Sequence, residues 1–260
     1  MATRDRLDLT LRLVQGAERA TIAELARRLG VSEMTVRRDL DALQEAGLVR
    51  RVRGGAVATR ELREEAGYTA RLGWQPAVKD RLGAATAALV QPGETVLLDA
   101  GTTTVHVAQH LADRAPLTVA VLSLQAATAL ADVPGVRLLV LGGESRPGER
   151  SLVGPLALRA LAGFSFDIFV MSIGGISADG WSEFALEDAA VKQAALPRAG
   201  RIVVVADATK LGVRAFAHVA PLDVVDGLVT DVGARDPDLG ATATATLTAL
   251  TDAGVDLTYA

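Results

Sequence analysis

The sequence predicts an α/β chain in two parts: a small helix-turn-helix head and a larger, mainly parallel α/β domain. Three observations carry this. Half of the 260 residues are apolar and only 3% are aromatic, with Ala, Val and Leu dominant, which suits helices packed on a buried parallel sheet. Charge is split along the chain: residues 1 to 60 hold 12 Arg and 8 acidic residues, a net of +4, and the remainder carries -8. From Thr95 onward, short apolar runs alternate with Ala-rich helical stretches.

The length leaves room for one large domain and one small one. There is no cysteine, so disulfides and thiolate metal sites are excluded and nothing points to an oxidising compartment. The opening Met1-Ala2-Thr3-Arg4-Asp5-Arg6 is charged and lacks the apolar core of a signal peptide, and no apolar run approaches a membrane span. A cytoplasmic protein without membrane contact is expected. An overall charge of -4 would argue against nucleic acid if it were spread evenly, but a basic head on an acidic body is the asymmetry expected when one end meets a phosphate backbone.

Residues 1–58 form the expected head. Leu7, Leu11 and Val14 recur at near-helical spacing and give a first helix ending around Gly16. Thr21-Ile22-Ala23-Glu24 fits a capping box, and Ile22, Leu25 and Leu29 then form an apolar stripe that Gly30 stops. Ser32 can cap a third helix with Val36, Leu40 and Leu43 on one side and Met34, Arg38 and Asp41 on the other. Two short helices joined through a glycine make a helix-turn-helix, whose second helix enters the major groove of double-stranded DNA. That places Ser32, Thr35, Arg37 and Arg38 near base edges or phosphates. Arg38 is the better base reader, because arginine can bond both acceptors of guanine, and Arg37 lies toward the flank. The alternative is a solvated arginine pair on an ordinary helical hairpin. Leu48 to Val57, with Arg50, Arg51, Arg53 and Gly54-Gly55, suits a two-stranded wing along the DNA backbone; a basic interdomain loop is the other reading.

Residues 59–75, charged and then richer in Gly, Tyr and Trp, are assigned to a linker, and Pro76 opens the domain of residues 76–260. Its strands are expected at Thr95 to Asp99, Thr118 to Leu122, Val136 to Leu141, Ile168 to Ile173, Ile202 to Ala206 and Leu228 to Thr230. Asp99, Gly101-Thr102-Thr103-Thr104, Ser123, Gly142-Gly143, Gly174-Gly175 and Asp207 through Lys210 fall at the carboxyl ends of these runs, which border the ligand crevice of an open parallel sheet. Gly101 to Thr104 at a helix start suits an anion such as phosphate, though a plain helix cap would also explain it. Lys210 can add a positive charge, while Asp99, Asp179 and Glu187 can accept from sugar hydroxyls. His106 and His110 have a zinc-compatible spacing, but no glutamate follows the first and no third ligand is evident, so neither metal nor cofactor is expected. In the tail, Ala241 to Thr246 alternates like a strand, yet Asp236-Pro237 and the Leu247, Leu250 pair favour a helix.

Ala23-Glu24-Leu25-Ala26, Gly30 through Leu40, and Arg51-Val52-Arg53-Gly54-Gly55-Ala56 resemble the signature of the DeoR family of bacterial transcription regulators. Arg53 stands where the family usually has histidine. Tyr68, Arg71, Lys79, Asp99 with Gly101-Thr102-Thr103, Gly142-Gly143, Glu187 through Lys192 and Asp207 through Gly212 are similar to the family's sensor domain. The resemblance implies a fold related to ribose-5-phosphate isomerase, a phosphorylated sugar as effector, Lys192 among its contacts, and relief of repression by that effector. Val121-Leu122-Ser123 departs from the usual Thr-Asn-Ser type of segment, which predicts a less polar or differently shaped guest. The expected function is a repressor of carbohydrate genes, acting as a homodimer or homotetramer on repeated half-sites. A sugar-phosphate isomerase is the rival reading, disfavoured by the head; a ligand-free architectural protein is disfavoured by the strand-end motifs.

Overall fold

The computed structural model describes residues 3–15, 19–45, 49–58, 67–236 and 239–260. Gly16, Gly47, Leu48, residues 59–66 of the expected linker and Pro237 lie outside the described residues. The head runs α1 (Thr3–Gln15), β1 (Ala20–Thr21), α2 (Ile22–Leu29), α3 (Glu33–Glu45), β2 (Val49–Val52) and β3 (Gly55–Ala58). α2 starts on the capping box: Thr21 Oγ1 accepts from the Glu24 amide at 3.3 Å, and the Glu24 carboxylate accepts from the Thr21 amide at 3.1 Å. It ends at Gly30, whose φ of 66° is left-handed. Ser32 Oγ accepts from the Thr35 amide at 3.2 Å and starts α3.

Val36, Leu40 and Leu43 turn inward to share one core with Leu11, Val14, Ile22, Leu25 and Leu29, while Met34, Arg38 and Asp41 stay exposed. The buried Asp39 is held by Arg6 of α1 through bonds of 2.6 and 3.0 Å, so the charge that interrupts the apolar stripe is paired across the helices. β2 and β3 form the antiparallel wing, and β1 pairs with the other edge of β3.

Two helices come next. α4 (Tyr68–Gly73) occupies residues assigned to the linker, and α5 (Pro76–Ala88) starts on its proline. The body then runs β4 (Thr95–Leu98), α6 (Thr102–Leu111), β5 (Leu117–Val121), α7 (Leu124–Leu130), β6 (Val136–Val140), the hairpin β7 (Glu144–Ser145) and β8 (Leu152–Val153), α8 (Gly154–Ala162) and β9 (Phe166–Met171). After these come β10 (Gly175–Ser177), β11 (Gly180–Glu183), α9 (Leu186–Ala195), β12 (Ala199–Val205), β13 (Ala217–Ala220), β14 (Gly227–Thr230), α10 (Ala241–Asp252) and β15 (Asp256–Tyr259).

One parallel sheet organises the body, in the order β15-β14-β12-β9-β4-β5-β6. Alternate residues face opposite layers. Leu97, Ala120, Phe169 and Val204 pack with α8, α9 and α10, whereas Val96, Leu98, Val119 and Val205 pack with α5, α6 and α7. From β4 the chain winds outward through β5 and β6, then returns to lay β9 on the other side of β4. That reversal opens a crevice between the loops following β4 and β9.

The strands expected from apolar runs are present with ends shifted by one to three residues, most at β12, which starts at Ala199 rather than Ile202. β15 was not anticipated: it has four residues at a sheet edge, alternately exposed and half-buried. Nor was the antiparallel unit β10-β11-β13, whose first strand has only three residues. The tail is helical as expected, but α10 begins after Gly240 rather than at Asp236.

Candidate ligand cleft and DNA-reading surface

The loops after β4, β9 and β12, joined by the chain around α4, enclose a cleft of about 770 Å³ that is partly open to solvent. Gly101, Thr102 and Thr103 line it at the start of α6, and Asp207, Thr209 and Lys210 line it beyond β12. No side chain caps α6. The first-turn amides, which have no partner within a helix, are therefore left for an occupant. Gly101 has a φ of 152°, and a Cβ there would meet Ser172 Oγ at 3.1 Å, so this close crossing requires glycine. Thr104 is buried and returns its hydroxyl to the Gly101 carbonyl at 3.1 Å.

Behind this wall lies a buried charge cluster. Asp99 accepts from the Ser172 amide at 3.0 Å, from the Ser172 hydroxyl at 3.1 Å and from the Lys192 ammonium. Lys192 also reaches Glu183 at 3.3 Å. Burial works against its charge, but Asp99, Glu183 and Asp188 outweigh that and raise its pKa above the ordinary lysine value. Lys192 therefore keeps its proton at neutral pH. Beyond β12, Asp231 accepts from the Ala208 and Gly233 amides at 2.6 and 2.9 Å and so holds the turn carrying Asp207 to Lys210. Burial, then the nearby Asp207, raises the Asp231 pKa despite those bonds.

The opposite rim is built from residues distant in sequence. Arg71 pairs with Glu149 and lies 6.0 Å from the Tyr68 ring centre, while the buried Lys79 donates to the Arg71 carbonyl. Arg146 pairs with Asp188 at 2.7 Å, and Lys210 stands 5.9 Å from the Phe184 ring. Trp74 Nε1, Arg146 Nε and Ser151 Oγ, in lining residues, are buried without a hydrogen-bond partner among the described residues.

Of the residues expected to contact a ligand, Gly101, Thr102, Thr103, Lys192, Asp207 and Lys210 line the cleft, and Asp99 supports it through Ser172 and Lys192. The others do not line it. Ser123 caps α7, accepting from the Ala126 amide at 3.3 Å. Gly143 and Gly175 are packed against the Val153 and Val213 carbonyls, Gly174 lies against Phe184, and Gly142 is outside the lining. Asp179 is exposed and pairs with Arg214 at 3.0 Å. Glu187 is exposed too; its neighbour Asp188, one step around α9, faces the cleft instead. Val121 and Leu122 are buried in the two cores on opposite faces of the sheet, so their departure from the family pattern lies outside the lining. Arg146, Glu149, Ser151, Ser172 and Glu183 were not anticipated, Thr209 belongs to the Asp207–Lys210 segment expected at the crevice, and Trp74 was assigned to the linker.

His106 and His110 share a different partner. Asp80 Oδ1 lies 2.9 Å from His110 Nε2 and 3.8 Å from His106 Nδ1. The His110 bond, foremost, lowers the Asp80 pKa, and burial lowers that of His106. No group of three or more His, Asp or Glu side chains placed so as to hold a metal ion occurs among the described residues.

On the head, Thr35, Arg37 and Arg38 occupy the first turns of α3 behind the capping Ser32. Ser32 and Thr35 share a hydroxyl bond of 3.0 Å, Arg37 lies 3.5 Å from Glu33 on the helix surface, and Arg38 is exposed. Arg50 and Arg53 are exposed on the wing, where Arg19, not anticipated, donates to the Arg53 carbonyl. Arg51 differs: its guanidinium pairs with Asp41 and donates to the Arg37 carbonyl at 3.2 Å, tying the wing to α3. Replacing Arg38 with Ala should cost about 1 to 3 kcal/mol on a specific site and much less on random duplex. Parallel gel-shift titrations at one salt concentration check this; equal losses would reduce Arg38 to a phosphate contact.

The DeoR-like helix-turn-helix domain matches residues 6–61, and the DeoR C terminal sensor domain matches residues 74–232. The chain is 34% identical to the transcriptional repressor AccR of Agrobacterium fabrum, over 90% of this chain and 92% of that protein. It is 32% identical to the transcriptional repressor GlcR of Bacillus subtilis, over 89% of each. It is 29% identical to the glycerol-3-phosphate regulon repressor of Escherichia coli, over 85% of this chain and 88% of that one. Among solved structures it is similar to ribose 5-phosphate isomerase A of Methanocaldococcus jannaschii, with a TM-score of 0.39 and 15% identity over 52% of this chain and 54% of that one. The fold described above rests on its own strand order and not on that likeness.

Proposed function

We propose, because this chain belongs to the DeoR family, that it represses carbohydrate genes and lets go of its operator when a phosphorylated sugar occupies the cleft. The carrying observation is the uncapped start of α6 at the crevice between β4 and β9, where Gly101 to Thr103 offer first-turn amides to an anion with Lys210 on the far wall. Asp207, Glu183 and Asp188 supply acceptors for sugar hydroxyls. The name of the glycerol-3-phosphate regulon repressor, a relative over most of the chain, agrees with such a guest.

The chain is a regulator and not the rival isomerase. Consistent with this, the lysine closest to the crevice carboxylates is held protonated by Asp99 and Glu183, so it is unavailable as a base near neutral pH. A homodimer or homotetramer, cytoplasmic and bound to two half-sites, would complete the arrangement.

The test is a thermal-shift panel of sugar phosphates against their unphosphorylated counterparts. A guest present at about a hundredfold above its Kd should add about 2.7 kcal/mol of stability. Tm is expected to rise with the phosphorylated member of a pair alone. No response to any phosphorylated compound, or equal responses within pairs, would remove the phosphate reading.

A further inference from the structure

One side chain belongs to both halves of the molecule. Trp74 lines the cleft and also packs against the apolar core of the head, the core that holds Leu40 and Leu43 of α3. Its position is fixed by the chain on either side. Its amide donates to the Arg71 carbonyl at 3.2 Å, and Gln75 then takes a left-handed conformation, with φ 48° and ψ 46°, immediately before Pro76 opens α5. For a residue with a side chain that conformation is uncommon and unfavourable. The elbow is held to the body by the Arg71–Glu149 pair and by Lys79 at the Arg71 carbonyl.

Trp74 Nε1 is buried with no hydrogen-bond partner among the described residues. An unmet donor of this kind weakens the state that contains it, and an acceptor oxygen that reached it would relieve that cost. The ligand thereby gains a contact whose strength depends on where the indole sits, and such a difference between states is what a ligand needs to shift an equilibrium.

We propose that Trp74 couples the cleft to the DNA-binding head: a guest accepting from its Nε1 fixes the indole and so changes its packing against the head's apolar core. This rests on reading the cleft as a regulatory site. The second tryptophan, Trp181, is fully buried and donates to the Leu222 carbonyl at 3.3 Å, so Trp181→Phe leaves Trp74 as the sole indole emitter.

The experiment uses full-length Trp181→Phe protein, an operator selected by binding from random duplex, and glycerol 3-phosphate, ribose 5-phosphate and glucose 6-phosphate as probes. Trp74 emission should shift on adding operator and on adding whichever probe binds. In Trp74→Phe, which keeps a ring but loses the donor, the ratio of operator affinities without and with that probe should fall by about tenfold towards one. A wild-type ratio in that variant, or emission that responds to probe but not to operator, would overturn the coupling role. If no probe binds, the sugar-phosphate reading fails by itself; an operator-induced shift then still supports the link, and its absence overturns it.

Discussion

Replacing Lys192 with alanine should lower stability by about 3 to 5 kcal/mol, because it leaves the buried carboxylates of Asp99 and Glu183 without their shared cation. For a chain of this size that is a fall in Tm on the order of 10 °C. The pH dependence has a definite sign. The Lys192 pKa is raised on folding, so its contribution is complete below the ordinary lysine value and is lost as pH climbs from there through the raised folded value. Thermal melts of wild type and variant should therefore differ by a constant amount between about pH 6 and 9 and converge at higher pH. Asp99→Asn combined with Lys192→Met should cost less than the two single changes together, since both ends of one pair are removed. A loss under about 1 kcal/mol for Lys192→Ala would show that water reaches the cluster.

Exchanging Thr103 for aspartate should sharply weaken the response to effector while sparing the head. Coulomb repulsion between the new carboxylate and a bound phosphate, discounted for the open side of the cleft, is on the order of 2 to 3 kcal/mol. That is about a thirty- to 150-fold rise in the effector concentration needed to release operator. The substitution suits its own helix, because an acid in the first turn complements the dipole of α6 and competes for the same amides. Folding should survive for that reason, and Lys210→Ala should act in the same direction more weakly. The measurement is operator binding against effector at fixed salt, since salt alone changes affinity steeply. A wild-type effector midpoint in a folded Thr103→Asp protein would place the phosphate elsewhere.

Local chemistry is what made parts of this protein legible. The Thr21–Glu24 box, Gly30 and Ser32 each act on backbone within four residues, so their spacing in the sequence predicts α2, its stop and α3. The buried parallel strands are legible as apolar runs because both faces of the sheet are covered. β15 carries no such run: it sits at an edge with half its residues exposed. At the cleft, Gly101 to Thr103 announce themselves by type and place, but the Arg71–Trp74 turn, Arg146 and Glu183 arrive from separate elements, and no spacing connects the three. Glu187 and Asp188 are a matter of helical phase. Adjacent residues on α9 point about 100° apart, and only the fold decides which of them meets Arg146.

The Lys192–Asp99 contact joins residues 93 positions apart, whereas the bonds that shape the head's two central helices close over a few residues. Short loops close at little entropic expense and long ones do not, so the two halves should reach their final form at different speeds. During synthesis the head can settle while the body still lacks α9, and β4 can find neither its lysine nor its partner β9 until most of the chain has emerged. The ligand cleft is thus a late product of folding. On the function proposed above, a newly made molecule would acquire its surface for DNA before the cleft whose guest releases it.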